Sequence, residues 1–179
     1  MPAQPVAPEK LEIRPWREED APALGAAITT SLEHLRPWMP WVAEEPLTDA
    51  QRRGRIWAWA RARASGGDET LGVWLDGAVV AGCGLHRRID PGGLEIGYWV
   101  HVDHLRRGIA TGLSARLVEE AFSRPSTTHV EIHHDVANVA SGAVPERLGF
   151  RVVGEEDRAP TAPGETGRER RWRLDRPER

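Results

Sequence analysis

The stretch Leu94–Leu113, LEIGYWVHVDHLRRGIATGL, constrains this chain more than any other. Alternation puts Ile96, Tyr98 and Val100 on one side of a strand and Glu95, Gly97 and Trp99 on the other. It stops at Asp103 and His104, and Arg106, Arg107, Gly108, Ile109, Ala110, Thr111 and Gly112 then lead into a helix. Small residues at 108, 110 and 112 let a ligand approach the backbone. The N–H groups of a first helical turn attract anions, and two adjacent arginines favour phosphate. The pattern predicts a strand, a basic turn and a helix N-terminus that together hold a phosphate. Two commoner phosphate loops do not fit. No Lys followed by Ser or Thr comes after the second glycine, and Gly108-x-Ala110-x-x-Leu113 is a poor dinucleotide fingerprint. The alternative is an ordinary strand-to-helix connection with packing glycines.

The chain has 179 residues, the size of one domain. We expect that domain over 10–175, after a flexible, Pro-rich N-terminus over 1–9. Leu11 and Ile13 alternate with polar neighbours in a first strand ending near Pro15. Asp20 is placed to cap a helix with Leu24, Ala27, Ile28, Leu32 and Leu35 on its apolar stripe. Arg36–Pro46 holds three prolines and reads as a connector. Thr48 or Asp49 opens a second helix to about Ala64, with Ile56, Trp57 and Ala60 inward and its arginines on a solvated face; Gly66 and Gly67 end it. Strands over 70–75 and 79–85 meet at Asp76-Gly77, a tight-hairpin signal. After the central stretch come a strand over 128–134, a short helix over 138–147, a strand over 149–154, a Pro/Gly-rich loop over 157–167 and a last strand over 171–174. Strands and βαβ crossovers predict a mixed α/β sheet.

A net charge of −3 with 28% charged residues gives no electrostatic reason for nucleic acid or an anionic membrane as partner. The single cysteine, Cys83, excludes an internal disulfide framework and reads as a small core residue. No run approaches a membrane span and Met1–Lys10 lacks a signal-like apolar region, so we expect a cytoplasmic protein. Eight tryptophans against two phenylalanines and one tyrosine are unusual. Trp38 and Trp41, in the Pro-rich connector, are candidates for a substrate-binding wall, because an indole suits a half-buried position.

LEIGYWVHVDHLRRGIAT, followed by Val136-Ala137-Asn138 and Arg147-Leu148-Gly149-Phe150, resembles the Gcn5-related N-acetyltransferase (GNAT) superfamily. His34-Leu35-Arg36-Pro37-Trp38 and Glu95-Ile96-Gly97-Tyr98-Trp99 are similar to its RimJ/RimL-like branch, which acetylates the N-termini of ribosomal proteins. The resemblance runs from about Leu11 to Leu174. It implies a GNAT-type mixed, largely antiparallel splayed sheet flanked by helices on both faces, with acetyl-CoA in the opening. Backbone near Val100 and Val102 would hold the pantetheine arm, and the turn from Arg106 to Gly112 the diphosphate. Leu105 stands where the family pattern has Gln or Arg, a departure that backbone amides and the two arginines can absorb.

The reaction needs a base for the amine, polarisation of the thioester carbonyl and a proton source for the departing thiolate. By the resemblance, Glu95 is the base, with His101 and His86 as weaker candidates; a carboxylate merely paired with an arginine is the other reading of Glu95. Many members carry a tyrosine seven residues after the asparagine matching Asn138. Here Pro145 stands there, which excludes that acid. Ser141 matches the serine that the branch places near the sulfur. Pro145 also removes a helical N–H one turn after Ser141 and could aim it. Asn138 would bond the coenzyme, or cap its helix, or both. Five histidines (101, 104, 129, 133 and 134) show no ligand set at a familiar spacing, and no metal is expected. The acceptor is a protein N-terminal α-amine or, alternatively, a small amine or aminoacyl conjugate, with succinyl-CoA another possible donor. A non-catalytic coenzyme A sensor is the remaining alternative. A homodimer is the family's habit.

Overall fold

The computed structural model describes residues 5–177. Its elements, in order, are β1 (Glu12–Pro15), α1 (Ala21–Leu35), α2 (Asp49–Ala64), β2 (Glu69–Leu75), β3 (Ala78–His86), β4 (Gly93–Val100), α3 (Ile109–Ser123), β5 (His129–Asp135), α4 (Val139–Arg147), β6 (Arg151–Asp157) and β7 (Arg168–Asp175). Local chemistry explains several boundaries. Thr48 accepts from the Gln51 N–H while the Gln51 side chain accepts from the Thr48 N–H, a reciprocal cap that starts α2. Asp76 and Gly77 both have positive φ (51° and 80°), which matches the twist of the β2–β3 hairpin.

The seven strands form one sheet in the order β1-β2-β3-β4-β5-β7-β6. Neighbours are antiparallel except β4 and β5, which run parallel and pair only over Gly93–Glu95 with His129–Glu131. Beyond Glu95 the strands part. β4 stays registered on β3 as far as Val100 opposite Ala81, and β5 stays registered on β7 as far as Asp135 opposite Glu169. The expected splayed, largely antiparallel sheet is therefore present.

Each face has its own core. Ile109, Leu113, Leu117 and Ala121 of α3 cover Leu94 and Ile96 of β4 and Val130 and Ile132 of β5. On the other face Leu24, Ile28 and Ile56 of α1 and α2 pack on Trp16, Trp74 and Val79. Each fully buried leucine or isoleucine contributes roughly 1.5–3 kcal/mol. Among the described residues no helix is long and apolar enough to cross a membrane.

Four details differ from the sequence reading. Trp57 and Ala60 of α2 are exposed; the inner residues are Arg52, Ile56 and Trp59. Arg52, read as part of a solvated face, is 3% exposed because its guanidinium donates to both oxygens of Glu45 (3.1 and 2.9 Å). Asp20 does not cap α1 with its side chain; its carboxylate takes the Arg14 fork and the Arg17 N–H. The N-terminal segment, expected to be flexible to residue 9, is docked where it is described: Val6 joins the core and its N–H bonds the Arg107 carbonyl at 2.8 Å. Met1–Gln4 lie outside the described residues.

Candidate active site

The site begins where β4 gives way to α3. Arg106 (φ 56°) and Gly108 (φ 77°) both adopt the left-handed region, which costs an arginine but not a glycine. These two residues swing the chain so that α3 starts at Ile109, and its first helical bond runs from the Gly112 N–H to the Gly108 carbonyl (2.8 Å). The amides of 109–111 precede that ladder, as an anion site requires. Leu105 turns inward and packs on the core, which explains why an apolar residue is tolerated there. Arg107 meets the Nδ1 of His104 at 2.9 Å; burial and then the guanidinium lower the His104 pKa, so a neutral imidazole accepts this bond. Residues 106–108 thus form the turn, and 109–112 open α3.

The backbone expected to grip the carrier is only partly available. Val100 ends β4 on the stretch that β5 has left. Val102 lies in a short 3-10 turn instead, and its N–H donates to Ser31 Oγ of α1 at 3.1 Å. Its carbonyl remains as the group to offer a ligand.

A cavity of about 970 Å³ opens between the diverging strands and reaches under the connector between α1 and α2. It is lined by Glu95 and Tyr98 of β4, Asn138 and Ser141 at α4, and Trp38 and Trp41 of the connector. Residues far apart in the chain and singled out separately therefore share one chamber. The phosphate turn lies outside its walls. Trp99 can lie flat on β3 because position 82 is glycine; a Cβ there would sit 2.3 Å from the Trp99 Nε1. Its ring faces Trp41 at 6.3 Å.

Glu95 is held by Arg88, whose Nε and Nη2 donate to its two oxygens at 2.8 and 2.9 Å. The arginine-paired reading of Glu95 is thus realised, and one lone pair on each oxygen stays open to a proton. The two weaker candidates have other duties: His86 Nδ1 meets Asp68 Oδ2 at 2.9 Å, and His101 accepts the Asp103 N–H at 3.1 Å.

Asn138 caps α4, its side-chain oxygen accepting the Ser141 N–H at 3.2 Å, which leaves its amide hydrogens for a ligand. Pro145 lies inside α4, one turn after Ser141, and has no N–H to give the Ser141 carbonyl. Tyr98, the chain's one tyrosine, is within 3.1 Å of both that carbonyl and the Ser141 hydroxyl, and its O–H supplies the missing donor. Burial pushes the phenol up to about 12, so it stays protonated.

Residues 129–133 hold a feature the sequence reading passed over. His129, Glu131 and His133 alternate along β5 and share the face opposite the apolar core. The His-x-Glu-x-His alternation was the available signal, but without its cross-strand neighbours it says nothing about what the side chains meet. His134, on the other face, accepts from the Trp172 indole at 2.9 Å, and burial lowers its pKa. Among the described residues Asp90, His129 and Glu131 bring potential ligand atoms within 4.8 Å of one another.

Residues 10–151 match the family model for the acetyltransferase (GNAT) domain. A Bacillus subtilis (strain 168) protein named "Putative ribosomal N-acetyltransferase YdaF" is 30% identical over 148 residues, covering 82% of this chain and 81% of that protein. The crystal structure of a probable acetyltransferase superposes with a TM-score of 0.85 at 28% identity, covering 93% of each chain. A RimL ribosomal L7/L12 alpha-N-protein acetyltransferase bound to coenzyme A superposes at 0.84 with 20% identity, over 93% of this chain and 94% of that one. The splayed sheet, the turn at its mouth and these likenesses agree: the chain belongs to the GNAT acetyltransferases.

Proposed function

We propose that this acetyltransferase takes its acetyl group from acetyl-CoA and delivers it to the α-amine of a protein N-terminus of the ribosomal-protein kind, in the cytoplasm and without a metal. The observation that carries the reading is the cavity shared by Glu95 and Ser141 beside the stretch of β4 that β5 leaves unpaired. The names of the B. subtilis relative and of RimL support the acceptor.

The residues fit the carrier. The amides at 109–111 with Arg106 suit its diphosphate, and the free edge of β4 near Val100 and the Val102 carbonyl suit its amide-bearing arm. The thioester supplies an activated acetyl group; the chain's own residues manage charge and protons. Glu95 takes a proton from the amine, which attacks only when neutral. An α-amine has a pKa of about 7.7–8.0, so it needs less help than a lysine. Ser141, fixed by Asn138 at its N–H and Tyr98 at its carbonyl, offers a hydroxyl to the sulfur. Carboxylates outnumber guanidinium groups along the wall, which suits an acceptor arriving as a cation.

A second reading rests on one contact. The Gly164 N–H donates to the Pro37 carbonyl at 2.8 Å, so the β6–β7 loop meets the tryptophan-bearing connector over the cavity. A roofed, indole-walled chamber favours a small aromatic amine or aminoacyl conjugate over a peptide tail. Thiol release from acetyl-CoA and succinyl-CoA, measured against N-terminal peptides and small amines, separates the two. Peptides turning over best supports the first reading, small amines the second. Glu95→Gln should lower kcat by about 10²-fold or more at neutral pH. An unchanged rate at every pH removes Glu95 as base. Gel filtration with light scattering decides between monomer and the expected homodimer.

A further inference from the structure

The cavity face of β5 carries three ionisable residues in five positions, and they are deeply buried: the side chains of His129, Glu131 and His133 are 1%, 6% and 13% exposed. Burying such groups costs free energy unless each is paired, and apolar residues would cover the same area more cheaply. Their arrangement is ordered. From the cavity outward, Glu95 Oε2 lies 4.0 Å from His133 Nδ1, and His133 Nε2 lies 2.7 Å from Glu131 Oε2. Glu131 Oε1 lies 4.0 Å from His129 Nε2, which is 3.2 Å from Asp90 Oδ1. Asp90 is 59% exposed. Carboxylates and imidazoles thus alternate along the cavity wall from Glu95 to Asp90 at its exposed rim, with two short links and two of 4.0 Å that a small side-chain rotation closes.

The His129 tautomer suits transfer. Thr128 has one hydroxyl hydrogen, and Gly92's carbonyl is an acceptor for it at 3.3 Å. Its oxygen, 2.9 Å from His129 Nδ1, then takes the Nδ1–H, which leaves Nε2 facing Glu131 and Asp90 as the exchanging atom. Guanidinium groups face the row from several elements: Arg88 on Glu95, Arg173 of β7 3.7 Å from Glu131, and Arg158 on Glu169, whose other oxygen is 3.7 Å from His133 Nδ1.

We propose that this row is the exit path for the proton taken from the acceptor amine; the proposal rests on Glu95 as the base. The amine's N–H bond breaks as its nitrogen bonds the acetyl carbon, and the proton goes to Glu95. Glu95 gives it to His133 Nδ1 while His133 gives the Nε2 proton to Glu131. Glu131 passes a proton to His129 Nε2, and the same nitrogen hands it to Asp90 and solvent. Rotation of His133 between its two proton positions resets the path. Each group ends as it began, and one proton has left for each amide formed. His129, Glu131, His133 and Asp90 act through Glu95 and are positioning and relay residues.

The test compares His133→Gln, Glu131→Gln and Asp90→Asn with the native enzyme at saturating acetyl-CoA and amine. Asp90 is exposed, so its variant keeps the fold even if a buried one does not. The relay predicts that His133→Gln lowers kcat tenfold or more at neutral pH and leaves the KM for acetyl-CoA within twofold. It predicts a rate that responds to buffer concentration, and recovery of His133→Ala by added imidazole. Asp90→Asn should slow turnover severalfold with an altered solvent deuterium effect. In spectra of the free protein, Glu131→Gln should move the ring signals of both His129 and His133. If Glu95→Gln is slow but His133→Gln and Asp90→Asn turn over as the native enzyme does, the relay is overturned while Glu95 keeps its role. If Glu95→Gln is itself unimpaired, the base reading fails first. Retention of one equivalent of zinc by the purified protein, lost in His129→Gln, would also overturn it, because Asp90, His129 and Glu131 would then be ligands.

Discussion

The two edges of the splay work by different means. What the β4 side offers a carrier is main chain: an unpaired strand edge, two left-handed residues and a helix start. Side chains there are replaceable, as Leu105 shows by packing inward where the family pattern has a polar residue. On the β5 side the work falls to side chains, each satisfied by particular partners. A backbone site tolerates changes in sequence as long as φ and ψ are kept; a buried polar network does not, because removing one member leaves another unpaired.

The largest effect should come from the far end of β5. Asp135 accepts four donors, the N–H groups of Ala137, Thr166 and Gly167 and the Thr166 hydroxyl, and so ties the β6–β7 loop to the sheet. Asp135→Ala should cost about 3 kcal/mol in urea unfolding, since it strands several buried donors. Burial alone would raise this carboxyl's pKa, but the four donors outweigh it and hold it below the ordinary aspartate value of 3.8. The stabilisation is therefore complete above that value and is lost as pH falls through the lower folded one. The Tm gap between native protein and Asp135→Asn should narrow only below about pH 4.

On the β4 edge, Gly108→Val forces a β-branched residue to positive φ at a cost of about 1–2 kcal/mol. Its main signature should be a raised KM for acetyl-CoA, read by initial rates, with kcat nearly kept. A kcat loss with KM unchanged would break the comparison, because the turn would then be serving chemistry and not binding. Tyr98→Phe removes the donor to the Ser141 carbonyl and should cost about 1 kcal/mol of stability. It should also lower kcat, and the native rate should show no Tyr98 titration below pH 10, since the phenol is pushed up to about 12. The smallest change is expected for Arg106→Ala. An exposed cation paired with a bound diphosphate adds only about 0.2–1 kcal/mol, a rise of up to about fivefold in the KM for acetyl-CoA that fades with added salt.

Much of the fold was legible in the chain. The Asp76-Gly77 hairpin, the Thr48 cap and the α3 stripe from Leu113 to Ala121 are short-range features, and each sits where the pattern put it; β4 ends at Val100, ahead of the break read at Asp103. Errors arose where one residue type serves two environments. Trp57 and Trp59 are equally apolar, yet Trp57 is exposed; arginine suits solvent, yet Arg52 is buried because Glu45 waits in the connector. Neither follows from helical periodicity, which sees one helix and not what packs on it. The site divided the same way. Glu95, Asn138 and Ser141 were identified by resemblance, and the phosphate turn by its own pattern. The arginine on Glu95 was one of two readings left open, and the phenol on Ser141 and the row along β5 were not read at all.

Local backbone geometry depends on residues within a few positions of each other, so the strand, the left-handed turn and the helix start were settled by the order of residues alone. Proton traffic depends on atoms brought within about 4 Å from β4, β5, β7 and the loops between them. Tyr98 and Ser141 are 43 positions apart, and Asp90 and His129 are 39. Only folding brings such pairs together, because the divergence of two strands decides which side chains share a wall.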